Sequence, residues 1–85
     1  MDKYEILVKS LILVGSYEHA LEVIEEGLHL CNRPIELFFL KGRVLFLTEC
    51  FMDAIEWFDR CIQCEFCLQE SGSLRQRCMD RLLQV

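Results

Sequence analysis

The stretch Gly15-Ser16-Tyr17-Glu18-His19-Ala20 decides the fold of this chain, because Cys50-Phe51-Met52-Asp53-Ala54 repeats its pattern 34 residues later. In both stretches an aromatic residue follows a break in an apolar pattern, and an alanine comes three residues after it. Gly15-Ser16 is typical of a helix end followed by the cap of a second helix. Each stretch therefore predicts a tight turn between two helices.

The similarity extends well beyond the turns. Sliding the chain against itself by 34 residues, with no gap, superposes Tyr4 on Phe38, Lys9 on Arg43, Leu11 on Leu45, Ala20 on Ala54 and Ile24 on Phe58. Small residues match as well as large apolar ones. A fixed period of this length indicates a repeat architecture, in which each unit stacks on the next.

Apolar residues recur at helical spacing through most of the chain, and no stretch alternates as a half-buried strand would. The pattern predicts five helices, at about 3–14, 17–30, 34–47, 51–67 and 73–84. Asn32-Arg33-Pro34 ends the second helix and places Pro34 in the first turn of the third. Ser71-Gly72-Ser73 precedes the fifth helix, where Ser73 and Gln76 have the spacing of a capping box.

The pattern resembles the tetratricopeptide repeat, a 34-residue antiparallel helix pair, over residues 1–67. The resemblance implies an all-α, antiparallel helix-pair solenoid with repeats at 1–34 and 35–68. Residues 69–85 then form a capping helix, which we favour, or the start of a third repeat. We expect the fifth helix to keep the 34-residue register only with about three extra residues.

Small residues stand where a helix-pair fold needs close contacts. We expect Ala20 and Ala54 to let the two helices of each repeat approach one another. Gly27 and Cys61 do the same toward the next helix, and Gly42 suits the approach of the third helix to the fourth.

Composition limits the classes of function. Eighty-five residues suffice for one small domain, 53% of them are hydrophobic, and the net charge of −5 disfavours binding to nucleic acid. Charged residues interrupt every apolar stretch, so we expect no membrane span, and the first residues lack the pattern of a secretory signal. Six cysteines without such a signal indicate free thiols and a cytoplasmic or nuclear protein.

The triplet Cys61-x-x-Cys64-x-x-Cys67 is a weak metal candidate. On a continuous helix at 51–67 the three thiols would fan around the axis by about 60° per step, which separates them. We therefore expect no cofactor and interpret these cysteines mainly as small buried residues. His19 and His29 have no catalytic or metal-binding spacing, and no nucleophile motif is present, so we expect no enzyme.

The resemblance implies that the first helix of each repeat lines a concave groove. Its ligand-facing positions form an apolar strip edged by basic residues, namely Ile12, Leu13, Phe39, Phe46 and Leu47 with Lys9 and Arg43. The sequence thus predicts a protein-interaction module, an adaptor or scaffold, that binds a peptide or partner helix. A clamp for a terminal carboxylate is disfavoured, because Glu5 and Leu40 stand where the family's clamp needs lysine and asparagine.

Three alternatives stay open at this point. The strip could be a homodimer interface within a larger scaffold, as in tetratricopeptide subunits of the anaphase-promoting complex. It could instead be covered by the fifth helix or by a third repeat. A cysteine-based metal or redox protein is the remote alternative.

Overall fold

The computed structural model describes residues 3–30 and 35–84. These residues form five α-helices and no strand, which confirms the all-α fold. The helices are α1 (Lys3–Leu13), α2 (Tyr17–Leu30), α3 (Ile35–Leu47), α4 (Phe51–Gln63) and α5 (Leu68–Leu83). The predicted break at Asn32-Arg33-Pro34 and the helix start at Pro34 lie outside the described residues.

The helices form two layers of unequal spacing. Each helix packs against the next as a helical hairpin, α3 also contacts α1 and α5, and α2 and α4 make no close backbone approach in the described residues. The odd-numbered helices are therefore closer together than the even-numbered ones. The molecule curves toward α1, α3 and α5, whose exposed surface we call the inner face.

The two predicted turns have the same hydrogen-bonded geometry. The Ser16 N–H donates to the Leu11 carbonyl at 2.9 Å, and the Cys50 N–H donates to the Leu45 carbonyl at 2.8 Å. Both turns need a left-handed residue, which is Gly15 at φ +79° in the first and Glu49 at φ 65° in the second. Glycine adopts this conformation without the steric cost that a glutamate side chain brings.

The boundary between α4 and α5 differs from the sequence prediction. α4 ends at Gln63 and α5 begins at Leu68, so Ser71 and Gly72 lie inside a helix and the predicted capping box at Ser73 is wrong. Local propensity places serine and glycine at helix breaks, but packing overrides it here. Ser71 is fully buried, and its hydroxyl donates to the Phe66 carbonyl at 3.3 Å.

Ion pairs show that α5 keeps the 34-residue register without any inserted residue. Lys41 on α3 pairs with Glu25 on α2, and Arg75 on α5 pairs with Asp59 on α4. Each partner of the second pair lies 34 positions after its counterpart. The expectation that α5 needs about three extra residues is therefore wrong.

A close contact between neighbouring helices recurs with the same period. A methyl group added at Gly27 would lie 2.7 Å from Leu37, so α2 and α3 are too close at this point for a larger residue than glycine to fit without a shift. The equivalent positions on α4 and α5 are Cys61 and Ser71, which are both fully buried and close enough for the Ser71 hydroxyl to lower the pKa of the Cys61 thiol. α5 thus lies on α4 as α3 lies on α2.

The core consists of two clusters, one on either side of α3. The first is centred on α2 and its neighbours, and the second lies between α3, α4 and α5. Ala20 and Ala54 are fully buried, as expected for residues at helix crossings. A methyl group added at Gly42 would lie 2.7 Å from the Phe58 ring, so α3 and α4 approach closely at this glycine.

α3 packs one apolar side against α4, the helix that follows it. The corresponding side of α5 is polar. On α3, Phe38 packs on Trp57 and Phe46 on Phe51, both of them on α4. The equivalent positions on α5 are Gly72 and Asp80, and Asp80 accepts a hydrogen bond from Gln76 at 3.0 Å. The aromatic contacts that α3 makes on this side thus have no aromatic counterpart at the equivalent positions of α5.

Two glycine-to-alanine substitutions should change stability in opposite directions. Gly42→Ala should destabilise the protein by about 1–3 kcal/mol, because the rigid, fully buried Phe58 ring must move. Gly72→Ala should stabilise it by about 0.5–1 kcal/mol, because it lies inside α5 with nothing within 4 Å. Chemical denaturation of both variants measures the two changes. A loss of stability in Gly72→Ala would contradict the start of α5 at Leu68.

Candidate functional site

Three connected cavities on the inner face form one groove across α1, α3 and α5. They measure about 210, 200 and 470 Å³, and Arg43 borders each of them. The first lies beside α1, the second between α1, α3 and the start of α5, and the third between α3 and α5. We define the inner groove by Lys9, Ile12, Leu13, Phe39, Arg43, Glu70, Leu74 and Arg77.

Four of the predicted interaction residues meet in the first cavity. Lys9, Ile12, Leu13 and Arg43 line it, and the Leu13 side chain is 86% exposed. Residues four apart on α1, such as Lys9 and Leu13, share one face of the helix, and that face turns toward α3. This end of the groove has an apolar wall with a basic residue on either side.

The prediction that Phe39 belongs to the exposed apolar strip is wrong, because Phe39 is only 8% exposed. It packs edge-on against Phe58 at 5.9 Å and Phe66 at 6.3 Å between ring centroids. The early start of α5 places the Phe66 segment over this part of α3. Phe39 therefore forms the floor of the groove and belongs to the core, with Phe66 of the connection between α4 and α5 packed against it.

Phe46 and Leu47, the remaining strip residues, lie further along α3 and do not line these cavities. Phe46 is half-buried and packs edge-on against Phe51, with ring centroids 5.7 Å apart. Leu47 is 42% exposed. The structure thus brings part of the strip into the groove and leaves its far end separate.

The α5 side of the groove was missed by the sequence analysis. Glu70, Leu74 and Arg77 lie 34 residues after Glu36, Leu40 and Arg43. The repeat period would have identified them, had the fifth helix been placed in register.

A pair of carboxyl groups lies at the α1–α3 side of the groove. Glu5 and Glu36 share a hydrogen bond, which raises the pKa of Glu36 and lowers the pKa of Glu5. The Lys9 ammonium donates to Glu5 at 2.9 Å and lowers the pKa of Glu5 further. Lys9 is therefore engaged by this pair and is not available to a ligand of the groove.

The cysteine triplet is not on a continuous helix, so that part of the sequence prediction is wrong. Cys61 is buried in α4, Cys64 is exposed beyond the end of α4, and Cys67 has a left-handed φ of 47° before α5. Within residues 3–30 and 35–84, no three His, Cys, Asp or Glu side chains are grouped to hold a metal ion. Burial raises the pKa of Cys61 to about 11, and the Ser71 hydrogen bond only partly offsets this.

Comparison with protein-family models, with curated proteins and with solved structures finds no match to this chain. None of the helices that the structure describes is both long and apolar enough to cross a membrane.

The buried Cys61 thiol should make stability fall at high pH. Its pKa is about 11 in the folded state, above the ordinary value of 9.0, so folding favours the neutral thiol. Its contribution to stability is complete below about pH 9 and is lost as the pH rises toward 11. Melting temperatures between pH 8 and 11 should fall less steeply in Cys61→Ala than in the wild type. Equal slopes would contradict this assignment.

Two substitutions on α3 separate the core from the exposed surface. Phe39→Glu should unfold or severely destabilise the protein, because it buries an unpaired carboxylate among aromatic rings. Leu47→Glu, the matched control, should change stability by less than about 0.5–1 kcal/mol, because Leu47 is 42% exposed. Circular dichroism during thermal unfolding distinguishes the two. A folded Phe39→Glu variant would restore Phe39 to the apolar strip.

Proposed function

We propose that this chain is a non-enzymatic protein-interaction module of the tetratricopeptide type, an adaptor or scaffold that binds a peptide or partner helix in the inner groove. The observation that supports this most is the continuity of the three cavities around Arg43 across α1, α3 and α5. A groove that crosses successive helices can contact several side chains of one extended or helical partner.

The composition of the groove favours a protein ligand. Ile12, Leu13 and Leu74 supply apolar surface, and charged side chains border it. This combination of an apolar centre and a polar rim is the usual anatomy of a protein interface.

The assignment to the tetratricopeptide type draws support from contacts that recur with the 34-residue period. The ion pairs between α2 and α3 and between α4 and α5 use equivalent residues, and so do the two hydrogen-bonded turns. The five cysteines among the described residues are free thiols, in keeping with a cytoplasmic or nuclear protein.

Self-association through the same surface is the second candidate. It is favoured by exposed apolar side chains on the inner face, such as Leu13 at 86% and Leu47 at 42% exposure. A second copy could cover these residues and form a symmetric dimer of a larger scaffold.

Selection from a displayed library of random dodecapeptides tests the interaction function. Peptides should be enriched on the wild-type protein and should bind about tenfold or more weakly to Leu13→Lys, which replaces apolar surface in the groove with a charge. Met52→Lys is the matched control, because Met52 is also an exposed apolar residue, at 74%, but lies on α4. Equal binding to both variants, or no enriched peptide, would refute the groove as the binding site.

Molar mass measured across protein concentration distinguishes the two candidates. The peptide-binding function predicts a monomer at concentrations at which peptides bind. A dimer that dissociates on Leu13→Lys but not on Met52→Lys would favour self-association instead.

A further inference from the structure

We infer that the inner groove recognises a partner segment carrying an aspartate or glutamate side chain next to an apolar residue, with the carboxylate held between Arg43 and Arg77. This inference rests on the proposed function and specifies the chemistry of its ligand.

Arg43 and Arg77 are the two basic side chains of the inner groove that have no carboxylate partner among the described residues. Neither guanidinium group forms a hydrogen bond or ion pair within the described part of the chain. Five other basic residues do so: Lys9 with Glu5, Lys41 with Glu25, Arg60 with Glu56, Arg75 with Asp59 and Arg81 with Glu49. The two unpaired guanidinium groups line the same cavity of about 470 Å³.

The 34-residue period places these two arginines at equivalent positions on neighbouring helices. Positions 43 and 77 are 34 residues apart, so they take the same place on α3 and on α5, which pack side by side. Each guanidinium can donate two parallel hydrogen bonds to one carboxylate, and two such groups facing one cavity suit a single carboxylate side chain.

The other residues that line the cavity form an apolar floor. Its charged lining residues, two arginines and one glutamate, have a net positive charge. Phe39 and Leu74 line it together with the two arginines. Glu70 also borders it but pairs with neither arginine, so two cations face one carboxylate. A cavity with this excess of positive charge attracts an acidic side chain, and its apolar floor can contact an apolar neighbour of that side chain.

The α1 side of the groove gives the ligand a direction. Glu5 and Glu36 lie on this side, where Glu5 already holds the Lys9 ammonium, so Lys9 is not available to an acidic residue of the partner. The carboxylate of the partner is therefore directed to α3 and α5, while its apolar residues can reach Ile12 and Leu13. A nucleic acid is a poorer ligand, because a chain of net charge −5 repels a polyanion as a whole.

The experiment uses the same random dodecapeptide library on five proteins: wild type, Arg43→Gln, Arg77→Gln, the double variant Arg43→Glu with Arg77→Glu, and Arg60→Glu. Arg60 is an exposed arginine on α4 outside the groove and serves as the matched control. Enriched peptides are synthesised with acetylated N-termini and amidated C-termini, and their affinities are measured. Thermal unfolding of each variant verifies the fold.

We expect peptides selected on the wild type and on Arg60→Glu to be enriched in aspartate or glutamate beside an apolar residue. Changing that acid to its amide should weaken binding to the wild type roughly 10- to 100-fold, and each Arg→Gln variant should lose affinity by a similar factor. The double variant should select lysine or arginine at the same place, because its cavity has the opposite charge.

Three results would overturn the inference. Enriched peptides without an acidic preference would leave the groove as a binding site but remove the role of the two arginines. Loss of binding on amidation of the C-terminus would assign the pair to a terminal carboxylate. Absence of any enriched peptide would refute the proposed function together with the inference.

Discussion

The contact between each even-numbered helix and the helix that follows it is the constraint on which the rest of the structure depends. At this contact Gly27 of α2 lies against Leu37 of α3, and Cys61 of α4 lies against Ser71 of α5. A small residue on at least one side lets the backbones approach, and the approach fixes where the next odd-numbered helix lies. Since α1, α3 and α5 are positioned in this way, the groove between them is a consequence of the same contact.

The 34-residue period predicted the four helices that it covered, because two turns and the buried alanines repeat within it. The start of α5 could not be predicted from local signals, since Ser71-Gly72-Ser73 has the composition of a loop. Ser71 is helical because a small polar side chain fits against Cys61 and is satisfied by the Phe66 carbonyl. That reason depends on tertiary packing, and the sequence indicated it through residues of α5 that match residues of α3 at 34-residue spacing, such as Arg75 with Lys41 and Arg77 with Arg43.

The candidate site, too, could be predicted from the sequence only in part. Helical spacing correctly placed Phe39 and Arg43 on one face of α3, and both line the groove. Spacing indicates which residues share a face but not which of them a neighbouring segment covers. Phe39 is covered by the Phe66 ring, whereas Arg43, one turn further along, stays exposed. The difference depends on where α5 begins, which local sequence misplaced by five residues.

The displacement of α5 also changes the chemistry of the surface. With a fifth helix starting at residue 73, the inner face would be an apolar strip with Phe39 exposed at its centre. With α5 beginning at Leu68, Phe39 becomes the floor and Arg77 stands opposite Arg43 across a cavity. Lys9 is already engaged by Glu5, so the charge available to a ligand lies between α3 and α5. The placement of α5 that buries Phe39 therefore also supplies the second arginine, on which the proposed preference for an acidic partner rests.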